Sequence, residues 1–196
     1  MGIGSPMTPP RPPAPGPGTP SSRPAVFLDR DGVLNEALVR DGKPYPPATV
    51  ADTKLIPDAA PALARLKALG LPLIVVTNQP DVSRGTQEIS AIEAINDHLR
   101  RALPLDDFLT CTHDDRDNCA CRKPKPGLIL EGAARHHADP ARSFMIGDRW
   151  RDIEAGKNAG CRTIWIDRGY RERAPEAPDA RVASLSEAVE WILEHL

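Results

Sequence analysis

A chain of 196 residues with a formal net charge of −2 has room for one hydrophobic core and an extra segment. Its balanced charge gives no electrostatic case for nucleic acid or an anionic membrane as partner, and aromatics at 4% are too few for a base-stacking platform. No apolar run approaches the ~20 residues of a membrane helix, and no apolar signal-peptide core stands at the N-terminus, so cytoplasmic residence is the expectation.

Residues 1–24 carry nine of the 22 prolines, mixed with Gly, Ser and Thr. Such a stretch lacks the apolar side chains that offset ordering entropy and reads as a disordered, partly polyproline-II tail. The fold is therefore sought in one domain, 25–196. There, Ala25–Leu28, Leu71–Val76, Ser143–Ile146 and Thr163–Ile166 are short, apolar and closed by polar residues or Gly, as buried strands are. Helices are expected between them. One is capped by Asp58, with Leu63, Leu66 and Leu69 on one face and Gly70 at its end; another spans 86–102 with Ile89, Ile92, Ile95 and Leu99 at helical spacing. Residues 126–137, 150–159 and 185–195 complete the set. Strands alternating with helices predict an α/β domain, a Rossmann-like, mainly parallel sheet with helices on both faces.

The chemistry-bearing residues come directly after the strands. Asp29 and Asp31 come after the first, Thr77 and Asn78 after the second and Asp148 after a later one, and in open parallel sheets the ligand crevice lies beyond the strands' carboxyl ends. Two carboxylates two residues apart repel each other unless a cation or a shared proton intervenes. Mg2+ fits, because it accepts carboxylate and carbonyl oxygens and leaves positions for water and a phosphate. One aspartate can then attack phosphorus while the other serves as acid and afterwards base. Thr77 and Lys123 are candidates for steadying the phosphoryl oxygens. Taken alone, Asp-x-Asp-Gly is commonly just a turn and each of the other signals is weak. Their coincidence at successive strand ends is what points to a site.

A second group, Cys111, His113, Cys119 and Cys121, offers three thiolates and an imidazole, a closed tetrahedral set for structural Zn2+. The intervening Asp114, Asp115, Arg116, Asp117 and Asn118 are too polar for a core, so the loop needs an ion to order it. It would then hold Arg122 and Lys123 at the edge of the site. Cys161, after Gly160, reads as a buried small residue.

The segments Asp29-Arg30-Asp31-Gly32-Val33-Leu34-Asn35, Thr77-Asn78-Gln79, Arg122-Lys123-Pro124 and Gly147-Asp148-Arg149-Trp150-Arg151-Asp152 together resemble the four motifs of the haloacid dehalogenase superfamily of phosphatases. More narrowly, the chain is similar to the heptose bisphosphate and histidinol-phosphate phosphatases of that superfamily. The resemblance covers nearly everything after residue 24. It implies Asp29 as nucleophile and Asp31 as acid/base, with Mg2+ held by Asp29, the Asp31 main-chain carbonyl and Asp148. It implies further that Thr77 and Lys123 contact the phosphoryl group, that Arg122 contacts a small phosphorylated sugar, and that a zinc loop replaces a large cap domain. Asn35, Asn78 and Arg84 are further candidates for substrate contact, although Arg84 is equally readable as a surface charge. A monomer is expected.

Asn35 and Lys123-Pro124-Lys125-Pro126-Gly127 resemble the heptose enzymes, whereas the five residues between His113 and Cys119, and Arg149, resemble the histidinol-phosphate enzymes. Pro80-Asp81 replaces the usual Ser-Gly, and Asp114 stands where proline is common. A heptose bisphosphate is the favoured substrate. A zinc-dependent nucleic-acid module lacks the basic face it would need.

Overall fold

In a computed structural model, residues 23–196 are described; the expected proline-rich tail lies, up to residue 22, outside them. Pairing begins at once, with Arg23 bridging Ala138.

Six strands form one wholly parallel sheet: β1 (Val26–Leu28), β4 (Leu73–Asn78), β5 (Asp107–Cys111), β6 (Phe144–Gly147), β7 (Arg162–Ile166) and β8 (Ala180–Val182). The spatial order is β5-β4-β1-β6-β7-β8. A small antiparallel hairpin, β2 (Leu38–Arg40) and β3 (Lys43–Tyr45), stands apart from it. Helices α1 (Ala59–Ala68), α2 (Ile89–Ala102), α3 (Gly127–Arg135), α4 (Trp150–Ala159) and α5 (Leu185–Glu194) cover the sheet.

Alternation along the strands builds two cores, because successive side chains leave opposite faces. Val26, Leu28, Leu73, Val75, Phe144 and Ile146 pack with Leu63 and Leu66 of α1, Ile95 and Leu99 of α2, and Val189 and Ile192 of α5. Phe27, Ile74, Val76 and Met145 pack with Leu128 and Ile129 of α3 and Ala155 of α4. Both faces of the central strands are thus dry, which is why they read as unbroken apolar runs. The expected three-layer architecture is present, with no large cap domain among the described residues.

Two local expectations differ. Leu69 lies 56% exposed at the C-cap of α1, since steps of three residues drift around a helix of 3.6 residues per turn and carry it off the buried face. Asp58 occupies the N-cap of α1 but makes no side-chain cap; its carboxylate accepts from the Ser186 amide of α5 instead. Cys161 is buried as expected.

Candidate active site

β4, β1 and β6 are adjacent, with Leu28 opposite Val75 and Ile146, so their carboxyl ends open onto one rim. Asp29 comes directly after β1 and is fixed by its amide donating to the Ile146 carbonyl (2.9 Å). The chain then turns through Gly32 at φ +81°, where a Cβ would sit 1.8 Å from an Asp148 carboxylate oxygen; only glycine fits. A cavity of about 280 Å3 is lined by Asp29, Asp31, Thr77, Lys123, Asp148 and Asp152, with Arg84, Arg122 and Arg151 farther out and Lys43 and Tyr45 of the hairpin beside them.

Lys123 is buried and centres the charges. Its ammonium donates to Asp29 Oδ1 (2.8 Å) and the Val76 carbonyl (2.8 Å), and it pairs with Asp152 Oδ1 at 2.6 Å. Burial works against its charge, yet Asp152 and Asp29 outweigh that and hold its pKa above the usual lysine value. Asp29, Asp148 and Asp152 place one carboxylate oxygen each within 4.8 Å of one another, all three buried. Burial above all, then Asp152, pushes Asp29 up to about 6, although Lys123 pulls it down. Burial, Asp29 and Asp152 likewise raise Asp148 well above the carboxylate range. The Asp148 oxygens are sealed from solvent without a well-formed hydrogen bond, the Tyr170 hydroxyl lying alongside. Asp29 and Asp152 on the Lys123 ammonium, with Asp148 beside them and its oxygens idle, form a donor set that suits a hard divalent cation.

Asp31 points elsewhere. Its carboxylate accepts from Arg30 Nε (3.2 Å) and Nη2 (3.0 Å), Asn35 Nδ2 (2.9 Å) and Gln79 Nε2 (2.8 Å), while still facing the cavity. Only its main chain is left for a metal. Thr77, at the end of β4, is buried and accepts from Gln79 Nε2 at 3.0 Å.

The substrate-contact candidates divide. Asn35 has no exposed surface and serves Asp31, so a substrate cannot touch it. Asn78 clamps the Lys123 main chain with both ends of its amide, donating to the carbonyl and accepting from the amide, each at 3.1 Å. That is a positioning role. Asn78 also lines the cavity, as do Arg122 and Arg84. Arg122 donates to Asp115 Oδ1 (2.8 Å) and the His113 carbonyl (3.1 Å), and Arg84 forks onto Asp114 (2.8 and 3.0 Å).

In the loop behind them, the Cys111, Cys119 and Cys121 sulfurs lie 3.1–3.7 Å apart, and His113 Nδ1 is 3.3 Å from Cys121 and 3.7 Å from Cys111. A tetrahedral zinc with 2.3 Å bonds to sulfur requires edges of about 3.8 Å, so the four ligands are nearly in place.

Sequence reasoning gave no role to Asp152, Gln79, Arg30 or Arg151. Asp152 had a signal, four residues beyond Asp148: the first turn of α4 returns it to the same rim, where it also accepts from the Arg149 amide (3.0 Å). Arg151 reaches Asp115 from α4 at 2.8 Å, a link across the rim that only the fold creates.

Residues 120–188 match the HAD-hydrolase-like family. The D-glycero-beta-D-manno-heptose-1,7-bisphosphate 7-phosphatase of Helicobacter pylori is 33% identical over 176 residues, covering 86% of this chain and 96% of that protein. The D-glycero-alpha-D-manno-heptose-1,7-bisphosphate 7-phosphatase of Mycobacterium tuberculosis is 36% identical over 139 residues, covering 68% and 71%. A crystal structure of the D,D-heptose 1,7-bisphosphate phosphatase from B. bronchiseptica, complexed with magnesium and phosphate, superposes with a TM-score of 0.76 at 29% identity, covering 88% of this chain and 99% of that one. The chain belongs to the haloacid dehalogenase-like hydrolases and is a phosphatase.

Proposed function

We propose that the chain is a Mg2+-dependent phosphomonoesterase that works through an aspartyl-phosphate and removes the 7-phosphate of D-glycero-D-manno-heptose 1,7-bisphosphate. The observation that carries this reading is the meeting of Asp29, Lys123 and Asp148 beyond three adjacent strands, in a chain similar to heptose bisphosphatases over most of its length. Asp29, Asp148 and the Asp31 main-chain carbonyl would hold the magnesium, which supplies the charge neutralisation a phosphate dianion needs beside carboxylates.

Asp29 attacks phosphorus as a carboxylate, and Lys123 and Thr77 steady the phosphoryl oxygens. As the phosphorus–oxygen bond to the sugar breaks, Asp31 gives its proton to the departing oxygen. Asp31 then takes a proton from water, whose oxygen attacks the phosphoaspartate, releasing phosphate and restoring Asp29. Arg84 and Arg122 are suited to the second phosphate, since both line the cavity and a guanidinium can exchange its bonds to Asp114 or Asp115 for phosphate oxygens. Cys111, His113, Cys119 and Cys121 hold a structural zinc that keeps Arg122 and Lys123 in place. Four cysteines without disulfides suit a reducing cytoplasm. One chain supplies the whole rim, so a monomer suffices.

The test compares kcat/KM for both anomers of heptose 1,7-bisphosphate and for histidinol phosphate, with magnesium and without. One heptose anomer is expected to lead histidinol phosphate by at least roughly 100-fold, because an unanswered phosphate pocket is costly. Preference for histidinol phosphate overturns the substrate, and turnover unaffected by magnesium removal overturns the metal.

A further inference from the structure

Arg30 is the largest side chain without exposed surface among the described residues. Burying a guanidinium is expensive unless charge and hydrogen bonds answer it on every side. Here Nε and Nη2 form a fork on Asp31, and Nη1 donates to Asn96 Oδ1 at 3.0 Å. Asn96 in turn donates to Thr110 Oγ1 (3.3 Å) on β5. It sits on the buried face of α2 with Ile92, Ile95 and Leu99, where an apolar residue would pack at less cost. The chain Thr110–Asn96–Arg30 thus spends buried polar groups on one carboxylate.

Four donors, two on each oxygen, fill the in-plane acceptor sites of Asp31. They are not equivalent. Asn35 Nδ2 also reaches the Glu36 carbonyl (3.0 Å), and Gln79 Nε2 also reaches Thr77 Oγ1 (3.0 Å), so either amide can release Asp31 and keep a partner. The Arg30 fork has no such second acceptor among the contacts it makes.

We propose that Arg30 is a positioning residue for proton transfer, its fork anchored through Asn96 holding the Asp31 carboxylate at the leaving oxygen while an amide yields. The proton occupies the lone pair that the amide vacates and passes from there to the sugar oxygen as that oxygen leaves. In the second half-reaction a proton of water returns to the same lone pair. This rests on the reading of Asp31 as the acid.

The test reads leaving-group departure in the first turnover, for p-nitrophenyl phosphate and for the fastest alkyl phosphate among the heptose bisphosphates and histidinol phosphate. Nitrophenolate departs without an acid, whereas a sugar alkoxide needs one. Arg30→Met is expected to slow the alkyl substrate roughly 100-fold and the aryl substrate less than about fivefold, with Arg30→Lys intermediate because an ammonium cannot form the fork. Asn96→Leu should give the same skew at smaller size. Asp31→Asn is the control. If it is skewed while Arg30→Met slows both substrates equally or neither, the Arg30 proposal is overturned. If Asp31→Asn shows no skew, the acid assignment itself fails. Should Arg30→Met not fold, an unskewed Asn96→Leu overturns the proposal.

Discussion

At the scale of single residues, the site stores electrostatic tension. Asp29 titrates near 6 chiefly because burial penalises its charge, with Asp152 adding to the effect. Its folded pKa exceeds the 3.8 of an ordinary aspartate, so between about pH 4 and 6 the folded chain binds the extra proton. The group's contribution to stability therefore falls as pH rises through that window and is lowest above it, by on the order of a few kcal/mol. Asp29→Asn is expected to abolish turnover yet, without added magnesium at pH 7.5, to melt no lower than the parent chain. A midpoint several degrees lower in thermal unfolding would show that the carboxylate is stabilising instead. These acidic positions were legible in the sequence because Asp29 and Asp148 each follow an apolar run and Asp31 stands two residues after Asp29. Arg30 was not, because nothing in Asp-Arg-Asp tells whether the middle side chain meets solvent or threads into the core. Asn35 and Asn78 were legible as site residues but not in role, since a carboxamide can serve a neighbour's main chain as readily as a substrate.

At the scale of elements, helix α4 and the cysteine loop do most to shape the rim. Gly156 lets α4 settle on β6 and β7; a Cβ there would lie 2.7 Å from Met145 Cβ and from Thr163 Cγ2. Alanine in a helix is favoured over glycine by about 1 kcal/mol, whereas overpacking a buried contact costs roughly 1–3 kcal/mol. Gly156→Ala should therefore lower stability by up to about 2 kcal/mol in denaturant unfolding, and a gain would mean that the helix can shift. Cys119→Ser is expected to lose the zinc, seen as far below one ion per chain by elemental analysis, with reduced turnover because Lys123 stands only two residues after Cys121. Full activity without zinc would separate the loop from the site. Strands β1, β4, β6 and β7 were readable because both faces are buried. β5 begins on Asp107, β8 carries exposed Arg181, and the hairpin has few buried positions, so none offers an apolar run. Edge strands and hairpins gain their order from neighbours that a local pattern does not show.

For the whole molecule, the described residues that line the cavity all fall between Asp29 and Glu172. Removing residues 1–22 should leave kcat/KM within about twofold, since that Pro- and Gly-rich stretch has no Asp, Glu, His or Cys to offer the site. A large rise in KM would place the proline-rich segment at the substrate. The α/β class was legible from the alternation of runs, whereas the strand order came from pairing that only three dimensions reveal. That order has a consequence for how the chain tolerates change. With β4, β1 and β6 side by side, the sheet acts as a ruler that sets Asp29, Thr77 and Asp148 at matched heights. Substitutions alter what stands at a mark, but an insertion moves the mark. One extra residue within 73–76 carries Thr77 and Asn78 along by about 3.3 Å and turns them to the opposite face, while one after Ala177, in the exposed stretch before β8, leaves all three strands in step.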